Sequence, residues 1–145
     1  AHAMTTTSEL HSVRQGAGRR VVLVHGFTQT SMSWQPIAAA LARDNCVVSV
    51  DAPGHGQSAD VHVGLREGSR LLGRAGGTAC YVGYSMGGVI ALTLAAAHPG
   101  SVRGLVLVSP AGLVPVHTFV PAAVGRGTIR FLCVCPASVA ITYGS

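Results

Sequence analysis

Gly83-Tyr84-Ser85-Met86-Gly87 is the stretch on which the fold turns. On its amino side, Ala79–Val82 is a short apolar run suited to a strand. On its carboxyl side, Met86–Ala97 is rich in Ala and Leu and suited to a helix. A serine at such a strand–turn–helix corner stands in a strained backbone conformation. A glycine on either side lets the turn close without a Cβ striking the neighbouring strand or helix. The Ser85 hydroxyl is therefore expected at the carboxyl edge of a sheet, above the amino end of the following helix. That helix end offers unpaired N–H groups and partial positive charge, which suit an oxyanion.

Outward from this corner, short β-rich runs alternate with helical stretches. Val21–His25 predicts a strand, and Ser33–Ala42 a helix carrying Trp34, Ile37 and Leu41 at helical spacing. Val47–Val50 predicts a second strand, followed by a turn at Pro53-Gly54-His55-Gly56. Leu65–Arg74 predicts a short helix with Leu65, Leu71 and Leu72 as its apolar side, and Leu105–Val108 a fourth strand. Strands and helices in this order imply an α/β fold, a mainly parallel sheet with helices on both faces. Residues 1–20 read as a flexible leader, 21–114 as the core, and 115–145 as a tail or the start of a lid segment. The tail holds Pro115, Pro121 and Pro136 and has no clear periodicity.

Composition narrows the function classes. Of the 145 residues, 48% are hydrophobic and 10% charged, which excludes a disordered chain. Apolar runs such as Val21–Val24 fall far short of the roughly 20 residues that a membrane span needs. The polar start, Ala1–Gln15, lacks an apolar leader stretch, so a cytoplasmic location is expected. All ten basic residues are Arg and the formal net charge is +5. They are scattered singly except for Arg19-Arg20, without aromatic interleaving, so no nucleic-acid partner is expected. Cys46 and Cys80 lie in apolar runs and read as core residues. Cys133 and Cys135 have no second Cys or His pair nearby, and no metal is expected.

A second motif supports the first. His25-Gly26-Phe27 directly follows the first strand, where Gly26 lets a loop approach closely. The backbone N–H of Phe27, with that of Met86, could hold the oxygen of a tetrahedral intermediate. Losing one such donor costs about 3–4 kcal/mol of transition-state stabilisation. With Asp51-Ala52-Pro53-Gly54-His55-Gly56-Gln57-Ser58, these segments resemble the α/β-hydrolase superfamily from about Val21 to Pro110, in the order that family uses. The resemblance implies a sheet of eight strands, about four of which lie in this chain. It also implies Ser85 as nucleophile, Phe27 and Met86 as oxyanion donors, and His25, Gly26, Gly83 and Gly87 as supporting residues. Within the superfamily, V-H-G-F and G-Y-S-M-G-G are most similar to the menaquinone-pathway branch, which eliminates pyruvate from a succinyl-hydroxycyclohexadiene carboxylate. In that branch an Arg commonly follows the paired glycines. Here the place is Val89.

One departure stands out. The family completes a Ser…Asp/Glu…His triad with both partners after the nucleophile, yet no carboxylate side chain follows Glu67. Only His98 and His117 follow Ser85. A serine hydroxyl needs a base, and the base needs orienting. The chain thus reads as an amino-terminal portion or a shortened variant, with a Ser85–His117 dyad as the unorthodox base. His98, ending a helix before Pro99, suits the helix dipole rather than catalysis. His25 and His55 read as structural, and Asp51 as a turn cap or the orienter of a base. Trp34 reads as core or pocket wall, and Phe119, Phe131 and Leu132 as a lid helix or a cover for the sheet edge. The leading function is a serine hydrolase acting on an ester, thioester or similar carbonyl, with a small-molecule substrate and no cofactor. The alternatives are the pyruvate-eliminating lyase and a non-catalytic relative that binds a ligand or partner. The exposed edge beside Leu105–Val108 would need the tail, a partner chain or a homo-oligomer to cover it.

Overall fold

Strand β2, Arg19–Val24, lies inside the sheet, and from Val21 onward its side chains are apolar on both faces. Val22 and Val24 point into one core, while Leu23, with Val21 against it, points into another. The structure, a computed structural model, describes residues 8–109 and, for their backbone, two further strands at 130–135 and 138–143. In chain order the elements are β1 (Ser12–Gln15), β2, α1 (Gln35–Leu41), β3 (Asn45–Val50), α2 (Leu65–Gly76), β4 (Ala79–Tyr84), α3 (Met86–Ala97), β5 (Val102–Val108), β6 (Arg130–Cys135) and β7 (Ser138–Tyr143). They build a seven-stranded sheet in the order β1-β3-β2-β4-β5-β6-β7. The pairings from β3 through β6 are parallel and the two outer ones, β1 with β3 and β6 with β7, antiparallel.

Helices cover both faces. On one, α2 and α3 bring Leu71, Leu72, Ile90, Leu94 and their neighbours onto Val22, Val48, Tyr81 and Leu105. Fully buried side chains such as Leu72 and Leu94 each contribute roughly 2 kcal/mol by leaving water. On the other face Trp34 and Ala38 pack on Leu23 and Val47. The helix expected over Ser33–Ala42 begins as a 3-10 turn, Ser31–Trp34, before α1 takes over. Thr30 Oγ1 accepts the Met32 N–H at 3.2 Å to cap that turn, and Pro36 suits the first turn of α1, where its missing N–H costs nothing.

Several expectations need correcting. The supposed leader contributes β1, because Ser12–Gln15 finds the free edge of β3 and pairs from Ser12 opposite Val50 to Gln15 opposite Val47. Of the two roles expected for Phe131 and Leu132, the structure shows the second: the tail supplies two strands at the sheet edge, not a lid helix. β6 runs parallel to β5 with Phe131 opposite Leu105, so the tail itself occupies the edge for which a second copy was one possible cover. Ile37 is 51% exposed and Leu65 49% exposed, so neither belongs to the core their spacing suggests. Cys46 and Cys80 are half-buried, and Cys46 packs against the larger core. His117 and Phe119 lie outside the described residues. No helix among the described residues is long and apolar enough to cross a membrane.

Candidate active site

Ser85 links the end of β4 to the start of α3 with φ 52° and ψ −115°, a conformation that L side chains rarely adopt. Its surroundings hold it there. The Ser85 N–H donates to the Val108 carbonyl at 3.0 Å, and its own carbonyl accepts the Gly88 N–H at 3.0 Å. The two flanking glycines answer to close approach. A Cβ on Gly83 would stand 2.5 Å from the Gly87 carbonyl oxygen, and one on Gly87 would stand 2.2 Å from that of Val24. Such strain at an over-determined position is characteristic of functional corners.

The loop after β2 lies against this corner. Parallel register sets Val24 beside Gly83, and a Cβ on Gly26 would meet the Tyr84 ring at 2.9 Å. Within the loop, the Gly26 N–H donates to Gln29 Oε1 at 3.0 Å, the Thr28 N–H to His55 Nε2 at 3.1 Å and the Gln29 N–H to the Gly26 carbonyl at 3.2 Å. No acceptor among the described residues takes the Phe27 N–H. Met86 is the first residue of α3, where a helix leaves its N–H groups unpaired. The Phe27 N–H and the Met86 N–H thus both lie at the carboxyl edge of the sheet, one in the loop after β2 and the other at the start of α3.

His25, as a neutral ring, and His55 fasten this loop. His25 is fully buried; its Nε2 accepts the Ala52 N–H at 2.9 Å, so Nδ1 carries the proton and donates to the Gly26 carbonyl at 2.7 Å. Burial pushes its pKa below the ordinary 6.5, partly countered by the hydrogen bond to Gly26. His55 works the same way, accepting from Thr28 through Nε2 and holding the Pro53 carbonyl from Nδ1 at 3.0 Å. The two rings lie 5.2 Å apart, and the Phe27 ring meets the edge of His55 at 5.6 Å.

Asp51, 2% exposed, organises the neighbouring loop. Oδ1 accepts the Ser31 N–H at 2.7 Å, while Oδ2 accepts the Gln57 N–H at 3.0 Å and His11 Nδ1–H at 3.1 Å. Burial alone would raise its pKa, but these donors together hold the carboxyl below its usual value. Two of these donors are backbone N–H groups, as expected of a turn cap, and the third is a histidine ring, that of His11. His11 and Ser31 escape sequence reading, because their partner is 40 and 20 positions away. Gln29 could have been suspected, since an amide three residues after a loop glycine can reach back to it.

Beside the corner lies a groove of about 280 Å³ between Trp34, Ile37, Tyr84 and Val108, with Gln29 and Ser33 at its polar end. Phe27 (70%) and Met32 (64%) are exposed large apolar side chains of the neighbouring segment. Trp34 is buried, and its indole N–H has no acceptor among the described residues. Ser85, Phe27, Met86, His25, Gly26, Gly83 and Gly87 therefore come together at one edge of the sheet. His98 is exposed at the far end of α3, away from them. No group of three or more metal-ligating side chains occurs among the described residues.

Residues 21–140 match the profile of the Alpha/beta hydrolase family. Over 105 residues the chain is 38% identical to a pimeloyl acyl-carrier-protein methyl ester esterase of Vibrio cholerae, covering 71% of this chain and 41% of that protein. It is 40% identical over 95 residues to a 2-succinyl-6-hydroxy-2,4-cyclohexadiene-1-carboxylate synthase of an Enterobacter strain, covering 60% and 36%. Among solved structures it superposes on a marine microorganism esterase with TM-score 0.64 and 26% identity, over 71% of this chain and 42% of the other. A thermophilic esterase from Thermogutta terrifontis gives TM-score 0.64 and 27% identity, over 70% and 40%. The chain spans about two fifths of the length of the curated relatives it matches.

Proposed function

The chain belongs to the alpha/beta hydrolase family, and from that premise we propose that it carries the nucleophile half of an ester-cleaving site. Ser85 attacks the carbonyl carbon of an ester or thioester, and the N–H groups of Phe27 and Met86 receive the oxygen as it becomes an oxyanion. His25, Gly26, Gly83 and Gly87 hold those donors in place, and the apolar part of the substrate lies in the Trp34–Tyr84–Val108 groove. The observation that carries this reading is the φ 52° conformation of Ser85 at the β4–α3 corner, backbone strain of the kind that collects at active sites.

Ser85 needs a base to take its proton, and an Asp or Glu to orient that base. No acid follows it in this sequence. The base is His117 or a histidine supplied with the remaining three fifths that the relatives carry. Asp51, the acid on the site side, already accepts from Ser31, Gln57 and the His11 ring, so the histidine it orients is His11.

A fluorophosphonate probe tests the proposal directly. Stoichiometric labelling of Ser85, lost in Ser85→Ala, supports an activated nucleophile. Labelling only when a longer relative's carboxyl-terminal part is supplied in trans assigns the base to that part. No labelling under either condition overturns the catalytic reading and leaves a ligand-binding chain. The likeness to the cyclohexadiene carboxylate synthase favours one second reading, elimination of pyruvate. Pyruvate release without ester hydrolysis would identify it. Val89, where that branch commonly carries an Arg for substrate carboxylates, favours the esterase.

A further inference from the structure

The amino edge of the sheet, opposite Ser85, carries a feature that ester cleavage leaves unused. Arg19 and Arg20 open β2, and Arg103 stands second in β5. Register sets Arg130, the first residue of β6, beside Gly104. Along the order β2-β4-β5-β6, arginine thus recurs on both sides of β4 at the same end of the sheet. Between these strands lies a cavity of about 300 Å³ lined by Arg19, Arg20 and Arg103, with Thr78 and Cys80 at its wall.

One property distinguishes this place from an ordinary solvated basic surface, and it concerns Arg19 and Arg103. Arg20 is engaged elsewhere: its Nη1 donates to the Gly76 carbonyl at 3.0 Å, on the face of Val22 and Val24, opposite that of Arg19. The positive charge goes uncompensated. The ion pairs among the described residues join Asp51 to His11, Glu67 to Arg70 and Glu9 to Arg74, and none reaches Arg19, Arg20 or Arg103. Asp44, directly before β3, is the nearest acid by register, since Arg19 pairs with Asn45. No carboxylate follows Glu67 in the sequence, so β4, β5 and β6 bring none. Like charges gathered without a counter-charge repel, and an anion that touches several of them relieves that repulsion as it binds.

We propose that this cavity binds a small phosphate-class oxyanion carrying two or more negative charges, with Arg19 and Arg103 as its donors. Guanidinium forks match the oxygen spacing of phosphate in paired hydrogen bonds, and the strength of such charge-assisted bonds favours a multivalent anion over chloride. The anion is either free or the phosphoryl end of a larger molecule. The site lies across the sheet from Ser85 and is independent of the ester-cleaving reading.

Calorimetric titration with inorganic pyrophosphate at fixed ionic strength tests it, with a nucleoside diphosphate as the second arm. Saturable 1:1 binding is expected, weakened about tenfold by either Arg19→Gln or Arg103→Gln, as loss of one charge-assisted hydrogen-bonding partner predicts. Both side chains are exposed, and an unchanged thermal midpoint establishes that each variant is folded. Arg66→Gln, an exposed arginine on α2 outside the cavity, leaves affinity unchanged. Tighter binding of the nucleoside diphosphate assigns a phosphoryl end, and tighter or equal binding of pyrophosphate the free anion. Absence of saturable binding in both arms overturns the site. So does an equal loss in Arg66→Gln, which marks general attraction to a basic protein, or an affinity for a single-stranded oligonucleotide above that for both small anions.

Discussion

At the carboxyl edge of the sheet, polar groups are matched to one another. Neutral His25, ionised Asp51 and the N–H groups of Gly26, Thr28, Gln29 and Ser31 all have partners, while no described residue takes the Phe27 N–H. At the amino edge the guanidinium groups of Arg19 and Arg103 have no acidic partner among the described residues. The difference separates two ways of meeting negative charge. An oxyanion that exists only during a reaction is best met by fixed main-chain dipoles that need no reorganisation. A ligand that arrives already charged is best met by full charges whose mutual repulsion it relieves. The matched edge should therefore be costly to disturb and the unmatched edge cheap.

The largest expected effect comes from Gly87→Ala. The new Cβ would fall 2.2 Å from the Val24 carbonyl, a backbone atom that cannot swing aside. A loss of about 3 kcal/mol or more is expected in urea unfolding, because the corner must shift against the sheet. A loss below about 1 kcal/mol would show the corner to be far softer than its geometry implies.

His25→Gln comes next, at about 2 kcal/mol near neutral pH, from disturbing two buried backbone partners. Here the sign with pH is specific. The folded-state pKa of His25 lies below 6.5, so its contribution is complete above that value. It fades as pH falls toward the folded pKa, because the unfolded chain takes up the proton first. Wild-type stability should therefore fall more steeply than that of the variant as pH drops below about 6.5, and parallel curves would contradict a buried neutral ring.

A smaller change of opposite sign is expected for Ser85→Gly. Glycine accepts φ 52° without strain, so the variant should gain about 1 kcal/mol in urea unfolding while losing phosphonate labelling. Stability gained where reactivity is lost would identify the strain as part of the site. Smallest of all, Arg103→Gln at the exposed amino edge should alter stability by less than about 0.5 kcal/mol, measured the same way. A large loss there would remove the contrast between the edges.

Much of the site can be read from short stretches of chain. The Gly83–Gly87 corner, the helix Met86–Ala97 and the loop at His25-Gly26-Phe27 follow from backbone sterics and local periodicity, which act over a few residues. The helix boundaries agree with those read from its residues alone. Ile37 and Leu65 show where that reading stops. Helical spacing assigns them to an apolar face, but whether that face meets a core depends on what packs against it, and neither residue is covered among the described parts.

By itself, the sequence determined the alternation of strand and helix, the placement of Ser85 at a corner and the absence of acids after Glu67. Those properties reside in residue types and their spacing. Only the tertiary structure decided that β1 and the tail strands join the sheet, that His11 and Ser31 meet Asp51, and that arginines from β2 and β5 share one cavity. Each of these joins residues separated by 20 positions or more. Such pairings are chosen by open strand edges and by unpaired polar groups that must find partners on folding, neither of which leaves a pattern within a local stretch of chain.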